Sequence, residues 1–479
     1  MRKGIEPCDH VWYNSIKWLK KGRVPVLYTR NKPHKRKPNW RNILLTALCV
    51  VLLAASATLL IKSVPAWKDS GSTQLNNSQT PSAQTQEPQT QEPQTPAATA
   101  TPSPAATPEA EPTVTPSPTP QRGSGVQSVT IGAVGDIAMH AHELAAAKAG
   151  SSYDFTAFFE RVQPYLSWQD VVIGNLETTI AQDKFDATRS PAQLLDGLKE
   201  AGVDVLALAN EHIFDADIAG AQGTVGAVKD AGLTPVGAYT SGADYIAPVI
   251  VTKDDLRIAV LNYTEATEKT PEGASDTVKY LTEAAFDNDM KQVQADEAGV
   301  DFVIVCVHWG VEDDKTITDS QKAWAQTFAD AGVDAVLGTG THYLQELTWV
   351  QGQSGKRTLV AYGLGNFLSG TRTDGRDAGA ILSFTLKKDF DSGVTAIEDV
   401  SYAPTWVLKY SSEGKYSFEI MSAVEYSQKK YQNMSLSDRD RIKKVQAEVE
   451  AALGTGAGAV DTAIRTMTDG VSTVVQPEE

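Results

Sequence analysis

A chain of 479 residues that is 41% hydrophobic can bury a large core, so neither a wholly disordered chain nor a small disulfide-stapled one is expected. Its 59 acidic side chains outnumber 43 basic ones, for a net charge near −16, which argues against nucleic acid and anionic lipid as partners of the folded part. The three cysteines, Cys8, Cys49 and Cys306, fall in segments of different character, and no intramolecular disulfide is predicted.

Taken in chain order, residues 1–42 hold twelve Lys or Arg against Glu6 and Asp9, a net of +10. Residues 43–61 follow as nineteen uncharged residues, ILLTALCVVLLAASATLLI, close to the ~20 needed to cross a bilayer as a helix. The run is longer than the core of a secretory signal, and the basic flank places residues 1–42 in the cytoplasm under the positive-inside rule. The expectation is a single-pass protein of the cell membrane, touching the bilayer through one helix, with its C-terminal domain extracellular. Residues 62–127 are rich in Pro, Thr and Gln, bury too little to fold, and read as a disordered spacer. The acidic remainder divides into a domain at 128–405 and a C-terminal extension at 406–479.

Within that domain the spacing predicts a strand over 128–135 ending on Asp136, a helix over 154–166, and a strand over 170–174 that runs into Asn175-Leu176-Glu177. A helix is predicted over 191–201, with Ser190 as N-cap and Pro191 in its first turn. Ala-Gly-Val-Asp then occurs three times, each followed by an apolar run and a histidine: Asp204 to His212, Asp301 to His308 and Asp334 to His342. A helix closing on glycine and a buried parallel strand account for each repeat, which puts each histidine at a carboxyl strand end. Ligands gather at that edge of an open α/β sheet. Further helices are predicted over 217–231, 282–298, 318–331 and 436–453, and strands over 347–350, 358–362, 380–386 and 394–401. Alternation followed by meanders points to two packed sheets with helices outside.

The histidines beyond the spacer are His140, His142, His212, His308 and His342, and all fall at strand ends or in the loops after them. Trp309 and Glu312 follow His308 closely enough to orient a substrate, whereas Gly363-Leu364-Gly365-Asn366 reads as a tight turn.

Gly135-Asp136, Gly174-Asn175-Leu176-Glu177, Ala209-Asn210-Glu211-His212 with Asp215, His308-Trp309-Gly310 with Glu312, Gly338 to His342 and Gly363-Leu364-Gly365-Asn366-Phe367 occur in this order. The set resembles the motifs of the bacterial CapA, or poly-γ-glutamate capsule biosynthesis, family, which is similar to the calcineurin-like metallophosphoesterases. The resemblance implies an α/β fold, a four-layer αββα sandwich with a metal centre at the strand ends. It implies one or two divalent ions, Mn, Fe or Zn, with Asp136, Asn175, Glu177, Glu211, His308 and His342 as ligand candidates. His212, with Asp215, takes the place of the general acid, and Asn210, Trp309, Glu312 and Asn366 that of substrate-binding groups.

Three departures bear on activity. Glu211 stands where the family has Asn, Gly340 stands where it has a ligating His, and Asp136 lacks a following Asp-x-His partner unless His140 or His142 folds back. These leave one ion well held and a second loosely. Two functions stay open: a metallophosphoesterase-like hydrolase or transferase acting on a phosphoester or an acidic exopolymer, and a non-catalytic polymer-binding or scaffolding subunit of a membrane synthase complex.

Overall fold

The computed structural model describes residues 122–479 except 241, 243–246, 374, 413, 429–430, 455–463, 469–470 and 476–479, with side chains described up to 426 and over 431–454. The basic tail, the apolar run at 43–61 and nearly all of the spacer lie outside these residues. Among the described residues no helix is long and apolar enough to cross a membrane.

The main strands in chain order are β1 (Val126–Ile137), β2 (Val171–Leu176), β3 (Val205–Ala207), β4 (Thr234–Val236), β5 (Val249–Lys253), β6 (Leu256–Thr264) and β7 (Phe302–His308). They continue with β8 (Ala335–Thr339), β9 (Leu347–Gln351), β10 (Arg357–Ala361), β11 (Asn366–Leu368), β12 (Ala378–Asp389), β13 (Thr395–Ser412) and β14 (Lys415–Ser422). One sheet has the order β14-β13-β12-β1-β2-β3-β4, with β11 added parallel to the end of β1, and the other β9-β10-β8-β7-β6-β5. β1 to β4 are parallel, as are β6, β7, β8 and β10, while the later strands of the first sheet are antiparallel.

Alternation along the strands sorts the side chains into layers. Ile131, Ile173, Ile258, Ile304 and Leu337 meet between the sheets. Val172 and Leu206 turn the other way onto Leu194, Leu198 and Val225 of helices Gln193–Ala201 and Asp217–Asp230. Val303 and Val305 meet Phe286 and Phe328 of helices Glu283–Ala295 and Asp319–Asp330. The order is helices, sheet, sheet, helices. β13 runs through residue 405, so the segment beyond it shares the first sheet, and helix Leu436–Leu453 adds Ile442, Val445 and Val449 to the central layer.

The Ala-Gly-Val-Asp repeats have a common structural cause. Gly202, Gly299 and Gly332 have φ of 105°, 73° and 85°, the left-handed region that glycine enters without penalty. Each aspartate then accepts the backbone N–H of the second residue of the neighbouring strand: Val172 N to Asp204 at 2.8 Å, Arg257 N to Asp301 at 2.7 Å and Val303 N to Asp334 at 2.9 Å. Asp301 also takes a fork from Arg122, Nη1 to Oδ2 at 2.9 Å and Nη2 to Oδ1 at 3.0 Å, and pairs with Lys388. This ionic cluster lies at the amino ends of the strands.

Three elements differ from expectation. The helix at 154–166 is two single turns, Thr156–Phe159 and Gln163–Leu166, because Pro164 has no N–H to continue the first. The helix expected from Pro191 begins at Gln193, since Arg189–Pro191 pairs as a short strand with Thr179–Ala181. β5 and β6 form a hairpin that the charged Lys253-Asp254-Asp255 junction obscures in the sequence.

Candidate functional site

Asp136 sits at the end of β1, fully buried, with Asn175 of β2 and Asn366 of β11 as its neighbours in register. A carboxylate removed from water must be met by donors. Asn175 Nδ2 donates to Asp136 Oδ1 at 2.8 Å and to Glu177 Oε2 at 3.1 Å. His342, in the loop after β8 at φ 59°, donates from Nδ1 to Asp136 Oδ2 at 3.2 Å. His308 ends β7 with Nδ1 3.3 Å from Thr339 Oγ1 and 3.5 Å from Asn175 Nδ2. Strand ends of both sheets therefore deliver side chains to one edge.

The electrostatics follow from burial and crowding. Burial raises the Asp136 carboxyl, but the His342 hydrogen bond and charge, with His308 and Asn175, more than offset it and hold Asp136 below the usual range. Burial and the adjacent Asp136 and Glu211 carboxylates push Glu177 well above its ordinary value. Burial drives His308 down to about 4, so its imidazole is neutral and carries a lone pair at neutral pH. For His342, burial pulls down, but the Asp136 hydrogen bond and charge win and raise it.

Asp136, Glu177 and His308 offer one ligand atom each, all within 4.8 Å of one another. Glu177, Glu211 and His212 form a second such group, and Glu211, Glu312 and His342 a third. The donor set fits a divalent cation: mixed carboxylate and imidazole ligands suit Mn, Fe or Zn, and a bound cation would return Glu177 to its ionised form.

His212 stands beside this cluster. Its Nδ1 donates to Asp215 Oδ2 at 2.9 Å, and its Nε2 lies 3.9 Å from Glu211 Oε1. Asp215 is itself held through its carbonyl by Lys269 Nζ at 3.0 Å. A carboxylate on one ring nitrogen fixes the tautomer and aims the other, the arrangement of an imidazole that gives or takes a proton. His212, Glu177, Glu312 and His342 are among the residues lining a pocket of about 200 Å³.

Other site residues named from the sequence have different neighbours. Asn210 is fully buried, donating to Asn175 Oδ1 at 3.2 Å and Leu176 O at 2.8 Å; it braces the site and does not line the pocket. Asn175 presents its amide nitrogen to the acids because its oxygen is taken by Asn210. Trp309 is corrected from substrate binding to packing. As the neighbour of His308 it turns to the opposite face, donates Nε1 to Tyr362 O at 2.8 Å and stacks on that ring at 5.8 Å. Glu312 stays half exposed, with Oε1 3.7 Å from His342 Nε2. Asn366 lines the pocket, and Gly365 forms the expected turn at φ 67°, its carbonyl accepting Asp136 N at 3.0 Å. His140 reaches the pocket, whereas His142 packs edge-on against Tyr416. Thr188, Ser369, Thr371 and Arg376 also line it; they come from irregular loops without periodicity to mark them.

Gly340 is more than a missing ligand. At φ 100° its Cα faces the His308 ring, and a Cβ would lie 3.0 Å from His308 Nε2. Gly340→His is therefore expected to lose function and gain none: strain of about 1–3 kcal/mol and a displaced His308. Urea unfolding and the metal content of the purified variant check this; wild-type stability with an extra ion retained would refute it.

A family profile described as "Bacterial capsule synthesis protein PGA_cap" matches residues 130–371. The chain is 31% identical over 292 residues to the capsule biosynthesis protein CapA of Bacillus anthracis, across 57% of this chain and 67% of that one. It is 29% identical over 244 residues to the PGA biosynthesis protein CapA of Bacillus subtilis (strain 168), across 49% of this chain and 62% of that one, so it spans less than two thirds of that relative's length. Among solved structures, a phosphatase from Mycoplasma pneumoniae aligns at 14% identity with a TM-score of 0.36, across 64% of this chain and 99% of that one.

Proposed function

Because the chain belongs to the bacterial capsule synthesis family PGA_cap, we propose that it is an accessory of capsule or exopolymer synthesis whose strand-edge pocket carries out a metal-dependent hydrolysis or transfer. The observation that carries this reading is the buried Asp136, Glu177 and His308 group set beside the His212–Asp215 pair. In the metallophosphoesterase-like form of the reading, Asp136, Glu177 and His308 hold the ion, and Glu211, Glu312 and His342 supply a second, more open position. A bound divalent cation supplies Lewis-acid stabilisation of charge developing on a phosphoryl or acyl oxygen. Asp215 holds His212 in one tautomer, and His212 gives up or takes a proton at Nε2, facing the pocket. Burial at the strand ends keeps bulk water from Asp136.

In the same reading the run at 43–61 anchors the chain in the cell membrane and the domain stands outside, working on an acidic exopolymer alongside subunits of a membrane synthase. The +10 flank and the acidic remainder support that orientation. A second reading, polymer binding without catalysis, has one specific support: Gly340 offers no donor where the resemblance calls for an imidazole.

Metal content separates the two. Full-length protein loaded with Mn²⁺ or Zn²⁺ and desalted is expected to retain at least one ion, which Asp136→Asn and His308→Ala lose. A wild-type protein that retains none leaves only the binding role.

A further inference from the structure

Among the described residues, eight buried side-chain atoms have no hydrogen-bond partner, and three of them, His140 Nδ1, Asn366 Oδ1 and Arg376 Nε, belong to residues that line the 200 Å³ pocket. An unmade buried hydrogen bond costs about 1–3 kcal/mol; of the three, Arg376 Nε is a donor that an oxyanion completes, whereas Asn366 Oδ1 is an acceptor that it leaves unpaired. Asn366 is 2% exposed, and its orientation is set because Nδ2 donates to Arg376 O at 2.8 Å. Arg376 is the one Lys or Arg among the described residues lining the pocket. Its Nη1 is tied to Asp313 Oδ2 at 2.6 Å and its backbone N to Thr373 O at 3.0 Å, which holds the guanidinium in place with Nε still unpaired. Hydroxyls of Ser369, Thr371 and Thr188 share the lining; Ser369 Oγ donates to Thr371 Oγ1 at 3.1 Å. The Arg376 charge is felt at His140 and His342, on both of which it acts to favour the neutral ring.

We propose that Arg376, with Ser369, Thr371 and Thr188, forms an oxyanion subsite in this pocket, whose ligand is one phosphate or carboxylate group of the substrate. A fixed guanidinium is suited to such groups, since its planar fork matches two oxygens at once. The pocket volume of about 200 Å³ accommodates one such group with a short arm. The pocket lining combines carboxylates and imidazoles with one cation and the hydroxyls of Thr188, Ser369 and Thr371. The inference rests on the pocket being the substrate site of the proposed function.

The test is calorimetric titration of inorganic phosphate and, separately, glutarate into full-length protein, both in excess chelator and after Mn²⁺ loading. At least one probe is expected to bind the wild type, and Arg376→Gln is expected to raise its dissociation constant tenfold or more with the metal content unchanged. Arg376→Lys, which keeps the charge without the fork, is expected to fall between, and thermal melting of each variant verifies folding. Preference for phosphate identifies a phosphoester group, and preference for glutarate a carboxylate. If neither probe binds the wild type, or Arg376→Gln binds as tightly, the subsite is refuted. The chelated arm keeps that outcome separate from failure of the metal reading.

Discussion

Gly135→Ala is expected to destabilise the protein by about 3 kcal/mol or more and to abolish metal retention. A Cβ at this position would lie 1.9 Å from Gly365 O and 2.9 Å from its carbonyl carbon, both backbone atoms that cannot swing aside. To admit it, the turn before β11 must leave β1, breaking the 3.0 Å hydrogen bond from Asp136 N to Gly365 O and shifting Asn366, the register partner of Asp136. Gly132→Ala, earlier on the same strand, is the milder comparison: its Cβ meets Gln169 Cγ at 3.0 Å and Val172 Cγ2 at 3.2 Å, side-chain and not backbone atoms, which need shift only by a few tenths of an ångström. Urea midpoints and metal content of the two variants give the comparison. If Gly135→Ala unfolds with the wild type, the close approach of β1 and the turn is not a constraint.

Glu143→Gln is expected to change how stability depends on pH. Glu143 lies in helix Ala141–Ala147, fully buried, and neither carboxylate oxygen has a well-formed hydrogen bond among the described residues. Burial lifts its pKa from 4.5 to about 7, against weaker opposing pulls from nearby backbone groups and the Arg372 and Lys409 charges. The folded state therefore holds a proton that the unfolded state releases, and stability falls as pH rises from about 4.5 to about 7, then levels off. The full swing is about 3 kcal/mol. A glutamine side chain cannot ionise, so the variant gains on the wild type by about that amount between about pH 4 and about pH 8. Parallel pH profiles of the two proteins would rule this out. Glu143 packs against Gly370, between the pocket-lining Ser369 and Thr371, so closely that a Cβ on Gly370 would meet its Oε1.

The strand-end histidines are legible because the Ala-Gly-Val-Asp repeat encodes two structural requirements at once, a positive-φ glycine and a carboxylate that caps the adjacent strand. Periodicity then carries the reading along β7 to His308 and along β8 to the loop holding His342. The same period of two assigns Trp309 to the helix-covered face once His308 faces the site. What stays hidden lies where no period operates. Arg376 follows Asn366 by ten residues through an irregular loop, and its place is fixed by contacts with Asn366, Asp313 and Thr373 that no periodicity announces. Gly340 reads in sequence as a deletion of function, yet its backbone angle and the His308 ring against it make glycine a requirement of the packing.

The fork between Arg122 and Asp301 fastens the start of the described chain to the amino end of β7. Force applied to the chain ahead of Arg122 enters at the amino ends of β1 and β7, where Lys388 and Arg257 N also grip Asp301. It then travels in shear along β1, which is clamped on one side by β2 and on the other by β12. Asp136 is ten residues beyond Val126, roughly 33 Å from the start of β1 at the rise of an extended strand. The entry of the described chain and the pocket thus lie at opposite ends of β1, so a pull on the one reaches the other through the hydrogen bonds that β1 shares with β2 and β12.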